Sequence, residues 1–161
     1  DFMDLYLINK SSFVVGTTSG AIDISTIFNV PFVGVNFAPF MEFPLGKDDI
    51  FIQKKIINSK NEVVPFKDII SNKEYYLFDG LKFFNNFGLK YLDNTSLDIL
   101  EATKEMCNVK NGNFVLNMSQ LKLLENYHTG YCQRSNWSKR FAPISISWLE
   151  QNHFLYFNDV L

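Results

Sequence analysis

Hydrophobic residues come in short solid runs early in the chain and in helical stripes later on. Phe13-Val14-Val15 has the length and β-branching of a buried strand. Gly16-Thr17-Thr18-Ser19-Gly20 is a run of small residues. In Ala21–Phe28 the apolar positions Ala21, Ile24, Ile27 and Phe28 have helical spacing, and Pro31 stops that helix. Phe32–Val35 is apolar on both faces, as in a parallel strand covered on each side. Strand, small-residue turn, helix and strand predict a βαβ unit reaching to about Asn36.

The flanks follow the same logic. Phe2–Ile8 predicts the end of a helix packed on the sheet. Phe37–Gly46 is an aromatic loop leaving the carboxyl end of a strand, and Ile50–Asn58 is mixed in pattern. Pro65–Ile70 reads as a short helix begun at proline. The pattern of Asp79–Phe87 fits helix or loop. Gly88–Leu92 reads as a strand, Asp93–Ser96 as a cap and Leu97–Cys107 as a helix with Glu101 and Glu105 along one side. Met118–His128 and Trp148–Asn152 complete the helices, with a polar loop over Gly130–Arg140. The expected fold is α/β: a Rossmann-like parallel sheet flanked by helices, with a helical carboxyl-terminal tail. The expected division is a Rossmann-like domain over 1–110 and a helical extension packed on it over 111–161.

Such a turn can receive an anion. The first N–H groups of a helix have no partner within it, and the helix dipole adds partial positive charge there. Thr17, Thr18, Ser19 and Gly20 are therefore the candidate anion site. The competing structural account makes Ser19 an N-cap and the small residues a packing device. Asn36 should lie on the same sheet edge, where ligands of open α/β sheets bind. Its amide can both donate and accept, which suits a base or a sugar hydroxyl, or merely a turn. Phe37, Phe40 and Phe43 either stack on a planar group or cover the sheet edge. Lys47 would complement bound phosphate.

Composition narrows the field without deciding it. The 161 residues carry a formal net charge of −2, which gives no reason to expect a nucleic-acid partner. Cys107 and Cys132 are too few for a disulfide framework and read as free thiols in a reducing compartment. His128 and His153 have no Cys or His at metal-ligand spacing, so no metal site is expected. His153 reads as a structural histidine among aromatics. Adjacent Asp48 and Asp49 should diverge rather than form an acid/base pair. No apolar run is long enough to span a membrane. The opening Asp1-Phe2-Met3-Asp4-Leu5 reads as the inside of a helix, so a longer parent protein is expected.

The run Val15-Gly16-Thr17-Thr18-Ser19-Gly20-Ala21, then Phe28-Asn29-Val30-Pro31 and Val35-Asn36-Phe37-Ala38-Pro39, resembles the carboxyl-terminal half of bacterial GT-B glycosyltransferases. More narrowly, the chain is similar to glycosyltransferases linked to surface polysaccharide synthesis. Lys47-Asp48-Asp49-Ile50-Phe51-Ile52, Leu92-Asp93-Asn94-Thr95 and Ile144-Ser145-Ile146-Ser147-Trp148-Leu149-Glu150-Gln151-Asn152 fit that group. The resemblance implies a nucleotide-sugar donor domain. The donor diphosphate would sit on Thr17, Thr18, Ser19 and Gly20. The nucleotide or sugar would meet Asn36, Phe37, Ala38, Pro39 and Phe40, with Lys47 nearby. It implies no metal or other cofactor, the nucleotide-sugar being substrate. It also implies a glycan or glycolipid acceptor and a missing amino-terminal domain that commonly supplies the general base, so no catalytic residue is assigned. A cytoplasmic location is expected, with the inner membrane face as a variant. Asp23 departs from the pattern, because a carboxylate early in the helix repels a diphosphate. A nucleotide-sugar epimerase of the same architecture and a non-catalytic interaction module are the alternatives.

Overall fold

A computed structural model describes residues 2–38, 44, 46, 48–71, 87–129 and 143–157. The expectations for Pro39, Phe40, Phe43, Lys47, 79–86, 130–140 and Cys132 lie outside the described residues. The amino-terminal unit runs α1 (Phe2–Lys10), β1 (Val14–Gly16), α2 (Gly20–Ile27) and β2 (Phe32–Phe37). Next come β3 (Ile50–Gln53), β4 (Lys55–Ile57), α3 (Phe66–Ser71) and β5 (Lys90–Leu92). Then follow α4 (Ser96–Lys110), α5 (Met118–Tyr127) and α6 (Ile146–Asn152), the last continued by a 3₁₀ turn, His153–Leu155.

The fold is α/β, and its main sheet is parallel in the order β1-β2-β3. β1 and β2 pair Val14 with Phe32 and Gly16 with Gly34. Ile144 bridges in parallel to Phe51 of β3, so the segment entering α6 lines the far edge of this sheet. Its ties are Phe51 N–H to Pro143 O at 3.3 Å and Ser145 N–H to Phe51 O at 2.8 Å. β4 and β5 form a separate antiparallel pair. The stretch 50–58, mixed in sequence, is thus two strands broken at Lys54, one in each sheet.

One core spans the described residues. Phe32, Phe51, Phe66, Tyr127 and Trp148 are all fully enclosed. Tyr156 sits among the aromatics, with ring centroids 5.1 Å from Phe66, 5.1 Å from Tyr127 and 6.0 Å from Trp148. Its hydroxyl donates to Gln53 Oε1 at 2.8 Å, which satisfies a buried amide at the end of β3. α1 differs from expectation: it lies against α2 and buries no residue, leaving Phe2, Met3 and Leu7 exposed.

Glu105 also differs. The helical stripe places it beside Glu101, which pairs with Lys104 at the surface, yet Glu105 is buried. Its carboxylate accepts from Ser145 Oγ at 2.7 Å, Ile146 N–H at 3.0 Å, Ser147 N–H at 3.1 Å and Ser147 Oγ at 2.9 Å. A carboxylate from α4 thus supplies the partners that the first turn of α6 lacks and matches its dipole. Replacing Glu105 by Ala should cost about 3 kcal/mol in urea unfolding, because several buried donors lose their acceptor at once. Glu105→Gln keeps an acceptor oxygen and should cost roughly half as much. Equal, small losses for both variants would contradict this account of α6.

Candidate functional site

The residues flagged in the turn gather at the carboxyl ends of β1 and β2. Ser19 is the N-cap of α2 with φ −164° and ψ 170°, and its side chain makes no capping hydrogen bond. Among the described residues, neither the Ser19 nor the Gly20 N–H has a hydrogen-bond acceptor. Thr17, Thr18, Ser19 and Gly20 are all exposed. Helix α2 therefore begins with open donors facing solvent.

The two glycines of the turn differ in why they are glycine. A Cβ at Gly16 would lie 3.2 Å from the Phe32 ring, so packing against β2 explains that residue. A Cβ at Gly20 would meet nothing within 4 Å. Packing explains Gly16 and leaves Gly20 without a structural reason.

The threonine hydroxyls are committed elsewhere than expected. Thr17 Oγ1 donates to Asn36 O at 3.3 Å and Thr18 Oγ1 donates to Ala38 O at 2.8 Å. Ala38 N–H returns a bond to Thr18 Oγ1 at 3.4 Å. These threonines pin the turn to the end of β2 rather than offer their protons to a ligand. Phe37 is likewise part of the core. Its ring is buried edge-on to Phe51 at 5.8 Å and folds over Gly34, where a Cβ would come within 2.8 Å of it. It presents no face for stacking.

Asn36 carries the sharpest local feature. The β2–β3 register pairs Gly34 with Phe51 but Phe37 with Gln53, so β2 holds one extra residue there. Asn36 takes up that residue with φ 52°, a left-handed conformation that asparagine tolerates better than most. Its N–H donates to Asn94 Oδ1 at 2.6 Å, and Asn94 N–H donates back to Asn36 Oδ1 at 2.6 Å. Asn94 Nδ2 then donates to Gln53 O at 2.8 Å. Asn94 is buried and repairs the interrupted ladder from 58 residues away. It was expected to be part of a local cap, but the cap of α4 is Thr95, in a reciprocal box with Asp98. Beside this edge, Lys54 Nζ pairs with Asp93 Oδ1 at 2.7 Å.

No protein-family model, no curated protein and no solved structure matches the chain. The site therefore stands on its own geometry. Among the described residues, no group of His, Cys, Asp and Glu side chains is gathered to hold a metal ion. No described helix is long and apolar enough to cross a membrane.

A cavity of about 220 Å³ lies at the opposite end of the sheet, near the amino ends of β2 and β3. Thr26, Asn29, Pro31, Gly46, Asp48 and Asp49 line it. Asp48 is exposed and Asp49 buried, so the adjacent carboxylates diverge. Asp49 accepts from Phe32 N–H at 2.8 Å and Gly46 N–H at 2.9 Å, which fastens the start of β2 to the entry of β3. Burial pushes its carboxyl above the ordinary value of 3.8, against the lowering effect of those two N–H groups. A carboxyl raised on folding binds its proton more tightly folded than unfolded. The contribution is present below 3.8 and is lost as pH rises through the folded value. The stability gap between the wild-type chain and Asp49→Asn should therefore move in favour of wild type as pH falls from 7 toward 4. Urea unfolding across that range checks this. The amide's own clash with Gly46 N–H adds a constant offset, so a gap that is independent of pH or moves the other way would contradict the expectation.

Proposed function

We propose that the chain is the donor-binding half of a glycosyltransferase that moves a sugar from a nucleotide-sugar to a surface-glycan acceptor. The observation that carries this is the start of α2: open N–H groups at Ser19 and Gly20, a glycine that packing does not require, and a place at the carboxyl edge of a parallel sheet. The motif resemblance over 15–39 supplies the ligand class.

On this proposal the diphosphate oxygens accept from the Ser19 and Gly20 amides. The partial positive charge of the helix start then stabilises negative charge developing on the leaving diphosphate. Thr17 and Thr18 act indirectly, by holding the turn against Asn36 and Ala38. Asp23 lies in the first turn of α2 but is exposed, so water screens its charge. On this proposal the general base comes from an amino-terminal domain of the parent enzyme, and the isolated chain binds donor weakly without transferring sugar.

Titrating UDP-, GDP- and CDP-sugars while following backbone amide signals should shift Ser19 and Gly20 with at least one donor. Ser19→Asp should abolish that response, since its carboxylate would lie beside those amides and repel the diphosphate. Amides that stay still for every donor would end the proposal.

A further inference from the structure

We propose, resting on the nucleotide-sugar reading above, that Asn94 orients the Asn36 amide so that Nδ2 is its donor to the nucleoside or sugar part of the ligand. A free asparagine amide offers both an acceptor and donors, and can turn over to suit its partner. Asn36 has lost that freedom. Its Oδ1 is occupied by Asn94 N–H at 2.6 Å, its N–H by Asn94 Oδ1, and its backbone oxygen by Thr17 Oγ1. With Oδ1 pinned, the amide orientation is set. Nδ2 has no partner among the described residues, and Asn36 is only half-buried. Both Nδ2 protons therefore remain for a ligand, while Oδ1 already accepts one bond.

This changes what the edge can recognise. The Nδ2 donor selects a carbonyl, ether or hydroxyl oxygen, or an unprotonated ring nitrogen. It does not select an amino group. Neighbouring strands lie about 4.8 Å apart, so a ligand whose diphosphate rests at the head of α2 reaches β2 with the portion next to that diphosphate. Asn94 is the positioning residue. Its side chain is fixed at both ends, to Asn36 N–H and to Gln53 O, and this staples residue 94 over the extra residue of β2. Its backbone N–H can then hold Asn36 Oδ1.

The test uses UDP-glucose, GDP-mannose and CDP-glucose as probes, with inorganic pyrophosphate as the reference that lacks a nucleoside. Asn36→Gly keeps the left-handed backbone without strain and keeps both main-chain bonds, but removes the amide. It should weaken the tightest nucleotide-sugar about tenfold, the equivalent of one hydrogen bond, and leave pyrophosphate affinity unchanged. Asn94→Ala should weaken the nucleotide-sugar similarly and add nothing when combined with Asn36→Gly, because both act through one group. Unchanged nucleotide-sugar affinity in Asn36→Gly would overturn the inference. So would equal losses for nucleotide-sugar and pyrophosphate, which would make Asn36 a purely structural residue. Additive losses in the double variant would remove Asn94 from the role. A wild-type chain that binds none of the four probes would instead defeat the donor-domain reading and this inference with it.

Discussion

One residue too many in β2 governs the end of the sheet where ligands of such folds bind. Between Gly34 and Phe37 the strand outruns β3, and peptide groups fall out of the ladder. Buried peptide groups left without partners cost 1–3 kcal/mol each by rough accounting, so the chain must find them substitutes. Asn94 supplies the substitutes, accepting from Asn36 and donating to Gln53. The bulge also turns the Phe37 ring down onto Gly34 and into the core. It leaves the Asn36 and Ala38 carbonyls where Thr17 and Thr18 can reach them. The head of α2 is thus referenced to the end of β2, and β2 to a segment 58 residues further on.

A second staple follows the same principle at the far edge. Glu105 gathers the entry of α6 much as Asn94 gathers the bulge, through several hydrogen bonds to groups distant in sequence. The enclosed apolar cluster supplies cohesion, but apolar contact is indifferent to small slips. Directional polar bonds between remote segments are not. Each leaves donors stranded if the register moves, so they define one arrangement among the many that would bury Phe51 and Trp148 about equally well.

This division explains what was legible in the sequence. The βαβ unit was readable because its signals are local: β-branched runs, helical spacing, and Pro31 after the helix. The small-residue turn before α2 was readable for the same reason. Two things were not. Ile50–Asn58 is mixed in pattern because Gln53-Lys54-Lys55 interrupts an apolar run. The polar gap is a change of sheet, with Gln53 buried and satisfied by Tyr156. The helical stripe and the 93–96 cap do not reveal the roles of Glu105 and Asn94, because their partners lie 40 and 58 residues away. No periodicity reports such pairs. The one available hint was Asn94 standing directly before a complete cap, Thr95 with Asp98, that had no need of it.

The same polar economy sets the scale of binding at this edge. Lys54 is engaged by Asp93, and the threonine protons are engaged by β2. On the proposed reading, an anion meets the open amides at Ser19 and Gly20. A charge-assisted hydrogen bond contributes about 1.5–3 kcal/mol, so two give roughly 3–6 kcal/mol before the cost of immobilising the ligand. Millimolar affinity needs about 4 kcal/mol. On the proposed reading, a diphosphate held by those two amides alone is bound weakly, and useful affinity must come from contacts to the rest of the ligand. That reading places the burden of recognition on a polar group at the end of β2 that the lattice of main-chain bonds leaves unspent: the Asn36 amide nitrogen.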